Sequence, residues 1–305
     1  MESIDIMHKR KEESNMYQLI VIDLDGTLLN PYSEVTKENK EAILEAKQKG
    51  IEVVLASGRI ASSIENIAKE VGADHYYISG NGALVYDMQK QEIVYENYIH
   101  KKEMLELIKI CEENSIYYNI YTEQSVLAKS LNYNVAFYQY ENSKKGQSKK
   151  TMINLVDNMY EYVQNSNLDR FLKMTICDSD KIIFSSILRK LKKIPHLDVL
   201  DVSHMSRKYI KNGTEKVSIE YYYTEITKKN TNKWEALQSI LKRENIEKEQ
   251  IMAIGDNVND KEIIENAGLG IAMGHSTPLL KNVADDVTKD NEQNGVASAI
   301  RKYIG

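Results

Sequence analysis

The stretch Val21-Ile22-Asp23-Leu24-Asp25-Gly26-Thr27-Leu28-Leu29 sets two carboxylates at the tip of an apolar run and follows them at once with a glycine turn. Residues i and i+2 of an extended chain share a face, so Asp23 and Asp25 lie close together. Two like charges held that close repel, and a site built this way needs a cation or a shared proton. A hard divalent cation such as Mg²⁺ suits carboxylate oxygens and usually keeps several of its waters. Taken alone, Asp-x-Asp reads more simply as a strand that ends in an acidic turn.

Three further segments change the balance. Val53 to Arg59 reads V-V-L-A-S-G-R, an apolar run that ends in a hydroxyl (Ser57), a glycine (Gly58) and a cation (Arg59). Ile251 to Asp260 reads I-M-A-I-G-D-N-V-N-D, an apolar run that ends in Gly255 and the polar group Asp256, Asn259 and Asp260. Between them, Asn232-Lys233-Trp234-Glu235 opens an amphipathic helix with a lysine in its first turn. A nucleophile, an acid, a metal cage, a hydroxyl and a cation are the parts that phosphoryl transfer requires. On these four ordered motifs the chain resembles the haloacid dehalogenase-like hydrolases, and within them the Cof-type phosphatases with a large α/β cap. The resemblance runs from about Tyr17 to the C-terminus.

That resemblance implies an activity and a role for each residue. Asp23 attacks phosphorus and forms an aspartyl phosphate, which water then hydrolyses. Asp25 protonates the leaving alcohol and later deprotonates the water. Mg²⁺ is held by the Asp23 carboxylate, the Asp25 main-chain carbonyl and the Asp256 carboxylate, with Asn259 and Asp260 supporting Asp256 or a metal-bound water. Ser57 donates to a phosphate oxygen, Gly58 lets the backbone approach, and Lys233 stabilises the charge on the transferring group. Arg59 and Asn81 bond the phosphate or the substrate near the cap hinge, where Gly80-Asn81-Gly82 also matches. Spacing by itself shows only that Asp23 and Asp25 share a face. The implied function is Mg²⁺-dependent hydrolysis of small phosphate monoesters, sugar or cofactor phosphates. The alternatives are a phosphomutase of the same superfamily and a non-enzymatic sensor of a phosphorylated ligand.

Two segments depart from the family pattern. Residues 226–234 lack its proline and glycines, so Trp234 must find room against the core. His275-Ser276 follows Met273-Gly274 where Asn-Ala is usual, and His275 reads as a surface-loop histidine, with contact to substrate or phosphate as the alternative.

Working outward, strands alternate with helices: Leu19 to Leu24, a helix capped by Thr36 and ended by Gly50, Ile51 to Ala56, Ile60 to Val71, then Tyr76 to Ser79. This rhythm predicts a doubly wound parallel sheet of Rossmann-like type. It breaks after Gly82 and returns at Asn232, where Trp234, Leu237 and Leu241 mark the buried face of a helix. Gln250 to Ile254 and Leu269 to Met273 are strands; Thr277-Pro278 starts a helix and Gly295 to Tyr303 is another. The expected organisation is an N-terminal extension over residues 1–16, a hydrolase core from residues 17–85 and 225–305, and an inserted α+β cap over residues 86–224. Ala83 to Tyr86 and Glu92 to Tyr98 flank Asp87 to Lys90 and suit a hairpin, and in the insert the polar run Glu141 to Lys150 reads as a solvated loop. The insert also holds fifteen of the twenty tyrosines. Those rings either line a sugar-binding cleft or reflect tyrosine-rich composition and cap packing.

Bulk properties narrow the classes. At 305 residues the chain is long enough for two domains. A net charge of −5 and a pI near 5.8 give no support for nucleic-acid or membrane-surface binding. Cys111 and Cys177 sit singly in apolar surroundings and read as reduced, buried thiols. No apolar run is long enough to span a bilayer, and a cytoplasmic enzyme acting on a small phosphorylated metabolite, monomeric or a small homo-oligomer, is the expectation. The other histidines, His8, His75, His100, His196 and His204, have no metal-ligand spacing.

Overall fold

The computed structural model describes residues 17–144, 146, 150–200, 205–212 and 215–305. The expected N-terminal extension, His8 and His204 lie outside the described residues.

The first sheet has eight strands, in the order Asp286–Val287, Leu269–Ala272, Ile251–Gly255, Leu19–Ile22, Glu52–Ala56, Tyr76–Ser79, Leu84–Asp87 and Glu92–Glu96. The first six are parallel and the last two antiparallel. Every residue of Leu19–Ile22 is buried, because both faces of the sheet are covered. Ile20, Ile22, Val53 and Leu55 pack on one side, against the helices Lys37–Gln48, Ala61–Val71 and Gly295–Ile304. Leu19, Val21, Val54 and Ala56 pack on the other, against Lys233–Glu244 and Lys261–Asn266. The fold class expected from the sequence is therefore the one observed.

The hairpin Leu84–Asp87 and Glu92–Glu96 belongs whole to this sheet, whereas the sequence reading divided it, with residues from 86 onward in the insert. Leu84 pairs with Ser79 and Asp87 with Tyr76. Without the hairpin, Tyr76–Ser79 would present a bare edge.

The second sheet runs Leu197–Val199, Glu215–Lys228, Lys173–Asp178, Tyr117–Tyr121, Ser125–Ala128 and Met152–Leu155, with Ser206–Asn212 paired to Glu215–Lys228. One face is apolar: Tyr118, Ile120, Met174, Ile176 and Ile226 pack with Met104, Leu107 and Phe184 of the helices Lys101–Glu113 and Lys181–Leu191. The residues between them, such as Asn119, Tyr121, Thr175, Tyr223 and Glu225, fall on the opposite face, as the two-residue repeat of a strand demands. Cys111 and Cys177 are both buried and free, as expected. Among the described residues, no helix is long and apolar enough to cross a membrane.

Three local readings change. Residues 141–144 end the helix Tyr133–Lys144 rather than forming a loop. Its polar, tyrosine-rich sequence hides it, and the Asn142 side chain is tied to both the N–H and the carbonyl of Thr151. Trp234 is half-buried while its neighbour Lys233 is fully buried, since the first turn of that helix points into a carboxylate cluster. Pro278 does open a helix, but that helix is only four residues long and the Thr277 hydroxyl makes no capping bond.

Candidate active site

Three strand ends and one helix start bring the expected residues to one edge of the first sheet. Asp23 follows Ile22, and its main-chain N–H still bonds Ile254 O at 3.0 Å. Ser57 follows Ala56, with its N–H on Ile78 O at 2.9 Å. Asp256 follows Gly255. Open α/β sheets bind ligands at the carboxyl ends of their strands, where the strand order reverses. Here the reversal falls at Leu19–Ile22, flanked by Glu52–Ala56 on one side and Ile251–Gly255 on the other.

Lys233 is the centre of the cluster. Asn232 caps its helix by accepting from Glu235 N at 2.8 Å, which aims the first turn at the sheet edge. The Lys233 ammonium, 1% exposed, meets Asp23 Oδ1 at 2.5 Å and Asp260 Oδ1 at 2.6 Å. Burial alone would lower its pKa; the charges of Asp23 and Asp260 outweigh burial and hold it above the ordinary lysine value. The other Asp260 oxygen accepts the main-chain N–H groups of Asp256 and Asn257, at 3.0 and 3.1 Å. Asp260 thus joins the lysine to the loop that carries Asp256.

Asp256 is held from two sides. Its Oδ1 accepts from Thr27 Oγ1 at 3.3 Å, and its Oδ2 lies 3.5 Å from His275 Nε2. His275 Nδ1 faces Asp290 Oδ1 at 3.6 Å. His275 is exposed in a loop, as the sequence reading expected, and that loop after Met273 folds back so that the ring stands beside Asp256. Gly26 makes the close approach possible. Its φ is +87°, and a Cβ there would stand 2.3 Å from Asp256 Oδ2.

Asp23, Asp256 and Asp260 each place a carboxylate oxygen within 4.8 Å of the others. Burial, and next the charge of Asp260, push the Asp23 carboxyl well above the usual range; Lys233 opposes them and Asp256 adds to them. Burial also raises Asp256, with His275 opposing. Three carboxylates, Asp23 and Asp260 buried and Asp256 half-buried, gathered around one ammonium leave uncompensated negative charge. Hard oxygen donors in that state fit a divalent cation.

Arg59 and Asn81 are engaged within the protein. Arg59 grips the Asp25 carboxylate with both arms, Nε to Oδ2 at 2.7 Å and Nη2 to Oδ1 at 2.5 Å, and its Nη1 reaches Ser63 Oγ at 3.3 Å. Burial opposes the Arg59 charge, yet Asp25 keeps its pKa raised. Asn81 adopts φ +60°, a left-handed conformation that asparagine tolerates. Its N–H bonds Ser57 O at 3.0 Å, its Oδ1 accepts from Asn259 Nδ2 at 3.0 Å, and its Nδ2 donates to Glu225 of the second sheet.

A cavity of about 430 Å³ lies between the two sheets. Asp23, Asp25, Ser57, Gly58, Arg59, Asn81, Asp256 and Asn259 line its floor, whereas Lys233 and Asp260 stand behind that floor. A family model described as haloacid dehalogenase-like hydrolase matches residues 20–300.

The chain belongs to the haloacid dehalogenase-like hydrolases. It is 27% identical over 290 residues to phosphatase YwpJ of Bacillus subtilis (strain 168), covering 94% of this chain and 100% of that protein. It is 26% identical to the 5-amino-6-(5-phospho-D-ribitylamino)uracil phosphatase YcsE of the same organism, covering 94% and 96%. The crystal structure of a haloacid dehalogenase-like hydrolase from Bacteroides thetaiotaomicron superposes with a TM-score of 0.76 at 25% identity, covering 94% of this chain and 99% of that one. These likenesses bear out the sequence reading of a phosphatase from this family.

This haloacid dehalogenase-like hydrolase also places beside the cluster and the cavity residues that the motifs did not announce. Thr27 steadies Asp256, and its only sequence signal is a hydroxyl two residues past Asp25. The cavity roof comes from the polar face of the second sheet and the helix Tyr133–Lys144, with Tyr121, Tyr138, Tyr221, Tyr223, Lys173 and Glu225. The hydroxyls of Tyr121 and Tyr138 meet at 3.0 Å, and Asn134 Nδ2 donates to Tyr121 at 2.9 Å. Part of the tyrosine excess therefore borders the cavity, while Tyr118 and Tyr222 pack on the apolar side.

Proposed function

We propose that the protein is a Mg²⁺-dependent phosphatase that hydrolyses small phosphate monoesters through an aspartyl phosphate on Asp23. The observation that carries this reading is the buried Lys233 ammonium joining Asp23 to Asp260 beside Asp256. A structural ion pair needs one carboxylate; this one gathers the acidic ends of two strands at a sheet edge that opens into a cavity.

Asp23 supplies the attacking oxygen, and Lys233 holds that carboxylate while sharing the charge of the transferring group. The Ser57 hydroxyl and the backbone at Gly58 seat the phosphoryl oxygens. Asp25, its side chain 59% exposed, stands at the mouth, where the Arg59 fork fixes its direction. To act there as the acid, Asp25 must leave the Arg59 fork and take up a proton; it then gives that proton to the leaving alcohol and takes one from the hydrolytic water. Mg²⁺, held by Asp23, Asp256 and the Asp25 carbonyl, would lessen the repulsion between carboxylate and phosphate dianion and polarise a phosphoryl oxygen. The roof of tyrosine hydroxyls and amides suits a hydroxyl-rich or ring-bearing leaving group, a sugar or cofactor phosphate. One relative is named for a phosphoribitylamino-uracil, which has both characters.

A panel of phosphorylated sugars and cofactors, assayed for phosphate release, tests the reading. Release that needs Mg²⁺ and stops with EDTA is the expected result; no release from any member contradicts it. A requirement for a sugar bisphosphate with little free phosphate would mark a phosphomutase instead. Metal binding has its own readout. Mg²⁺ at 100 times its dissociation constant should stabilise the fold by about 2.7 kcal/mol, seen as a rise in Tm that EDTA reverses. An unchanged Tm across millimolar Mg²⁺ would count against the metal site.

A further inference from the structure

Among the described residues, the cavity is lined by two cationic side chains, Arg59 and Lys173. Arg59 is engaged with Asp25. Lys173 comes from the opposite side: it opens the roof strand Lys173–Asp178, and the strand alternation that sends Met174 and Ile176 into the apolar cluster turns it, with Thr175, toward the cavity. Its side chain is 3% exposed, and its Nζ lies 2.5 Å from Glu225 Oε1 and 4.7 Å from the Tyr121 ring centre.

Its position relative to the floor matters most. The Lys173 ammonium stands 3.0 Å from the point where a Cβ on Gly58 would be, and Asn81 Oδ1 stands 2.8 Å from the same point. Gly58 is the residue after Ser57, so an ammonium from the roof hangs over the loop proposed to seat the phosphoryl oxygens. The partner of that ammonium is tied to the same loop. Glu225 also accepts from Asn81 Nδ2, and the Asn81 N–H bonds Ser57 O.

A buried lysine needs a counter-charge, and Glu225 provides it in the resting protein. A phosphate dianion on Ser57 and Gly58 would offer a second, doubly charged partner within reach of a flexible four-carbon stem.

We infer that Lys173 is a phosphate-binding residue delivered by the second domain, with Glu225 as its resting counter-ion, so that the phosphate site is complete only when that domain sits over the floor. This rests on the phosphatase reading, which it deepens. Glu225 then opposes phosphate binding while Lys173 favours it, and the two removals must act in opposite directions. A purely structural ion pair would make both removals act the same way.

The probe is inorganic phosphate, titrated calorimetrically into the Mg²⁺-loaded full-length protein, with Tm and circular dichroism confirming the fold. Glu225→Gln keeps an acceptor for Asn81 and deletes the charge; it should tighten phosphate binding several-fold, by the loss of one like charge. The double variant Lys173→Met/Glu225→Gln removes a neutral pair, so its fold is retained, and it should bind phosphate about tenfold or more weakly than the parent, the effect of one charge-assisted contact. Phosphate affinity within twofold of the parent in the double variant overturns the inference, as does weakening by Glu225→Gln. If Glu225→Gln does not fold, the double variant decides alone. Calorimetry reads binding without turnover: a parent protein that binds phosphate yet releases none from any member of the phosphorylated panel sinks the phosphatase reading and leaves the Lys173 result standing.

Discussion

Asp23→Asn should lower Mg²⁺-dependent release of phosphate from p-nitrophenyl phosphate by about 10⁴-fold or more, the scale seen when a nucleophile is removed. The metal-free fold should be as stable as the parent or more so. Both results come from the same geometry. The amide is nearly isosteric, so Lys233 keeps Asp260 at 2.6 Å and the cluster keeps its shape. The amide oxygen cannot form the acyl phosphate. Burial and the neighbouring Asp260 and Asp256 raise the Asp23 carboxyl in the folded protein. A raised carboxyl pKa means that the native state binds its proton more tightly than the unfolded chain does. Stability from this group is therefore lost as pH rises from the unfolded value through the raised one, and the cost is fully present above it. Asparagine removes that cost at neutral pH. Unfolding in urea with EDTA, paired with the phosphate assay, checks both halves. Full activity in the variant excludes the covalent route, and a large loss of stability shows that the carboxylate is structural.

Lys233→Met should have the next largest effect, and here stability and activity fall together. Removing the ammonium leaves Asp23 and Asp260 buried without their cation, a change worth about 3–5 kcal/mol. Denaturant unfolding in EDTA should show the whole loss. Mg²⁺ should restore part of it, because a divalent cation among the carboxylates replaces some of the missing charge. Turnover should stay low even with saturating Mg²⁺, since the lysine also shares the charge of the transferring group. A loss under about 1 kcal/mol, the range of an exposed pair, would show that Lys233 is not the buried keystone its contacts describe.

The core of this site was legible because its parts are local. Each motif is a buried strand followed within a few residues by the groups it presents, and the strand-end rule assembles them without knowledge of any distant pairing. Asp23, Ser57 and Asp256 emerge at adjacent strand ends for that reason. Lys233 was legible as a first-turn lysine, although Trp234 beside it took the burial that belongs to Lys233. The roof was not legible. Tyr117–Tyr121 carries asparagine and tyrosine on the face turned toward the cavity, whereas Ser125–Ala128 presents Val126 there, so their alternation does not separate apolar from polar residues. Lys173 and Glu225 are 52 residues apart in sequence, and nothing local marks them as partners. The Leu84–Asp87 hairpin was divided between core and insert for a similar reason: a hairpin records its own turn, and the sheet it joins is set by pairing with Tyr76–Ser79. His275 reaches Asp256 through a loop return that local sequence does not encode.

The most direct measurement is a crystal structure with Mg²⁺ and beryllium fluoride, which mimics a phosphoryl group bonded to a carboxylate. The expected result is beryllium fluoride on the Asp23 carboxylate, with Mg²⁺ between that group and Asp256 and the Lys233 ammonium still in contact. Asp23 bare and turned from the cavity, with no metal beside it, would contradict the proposed chemistry.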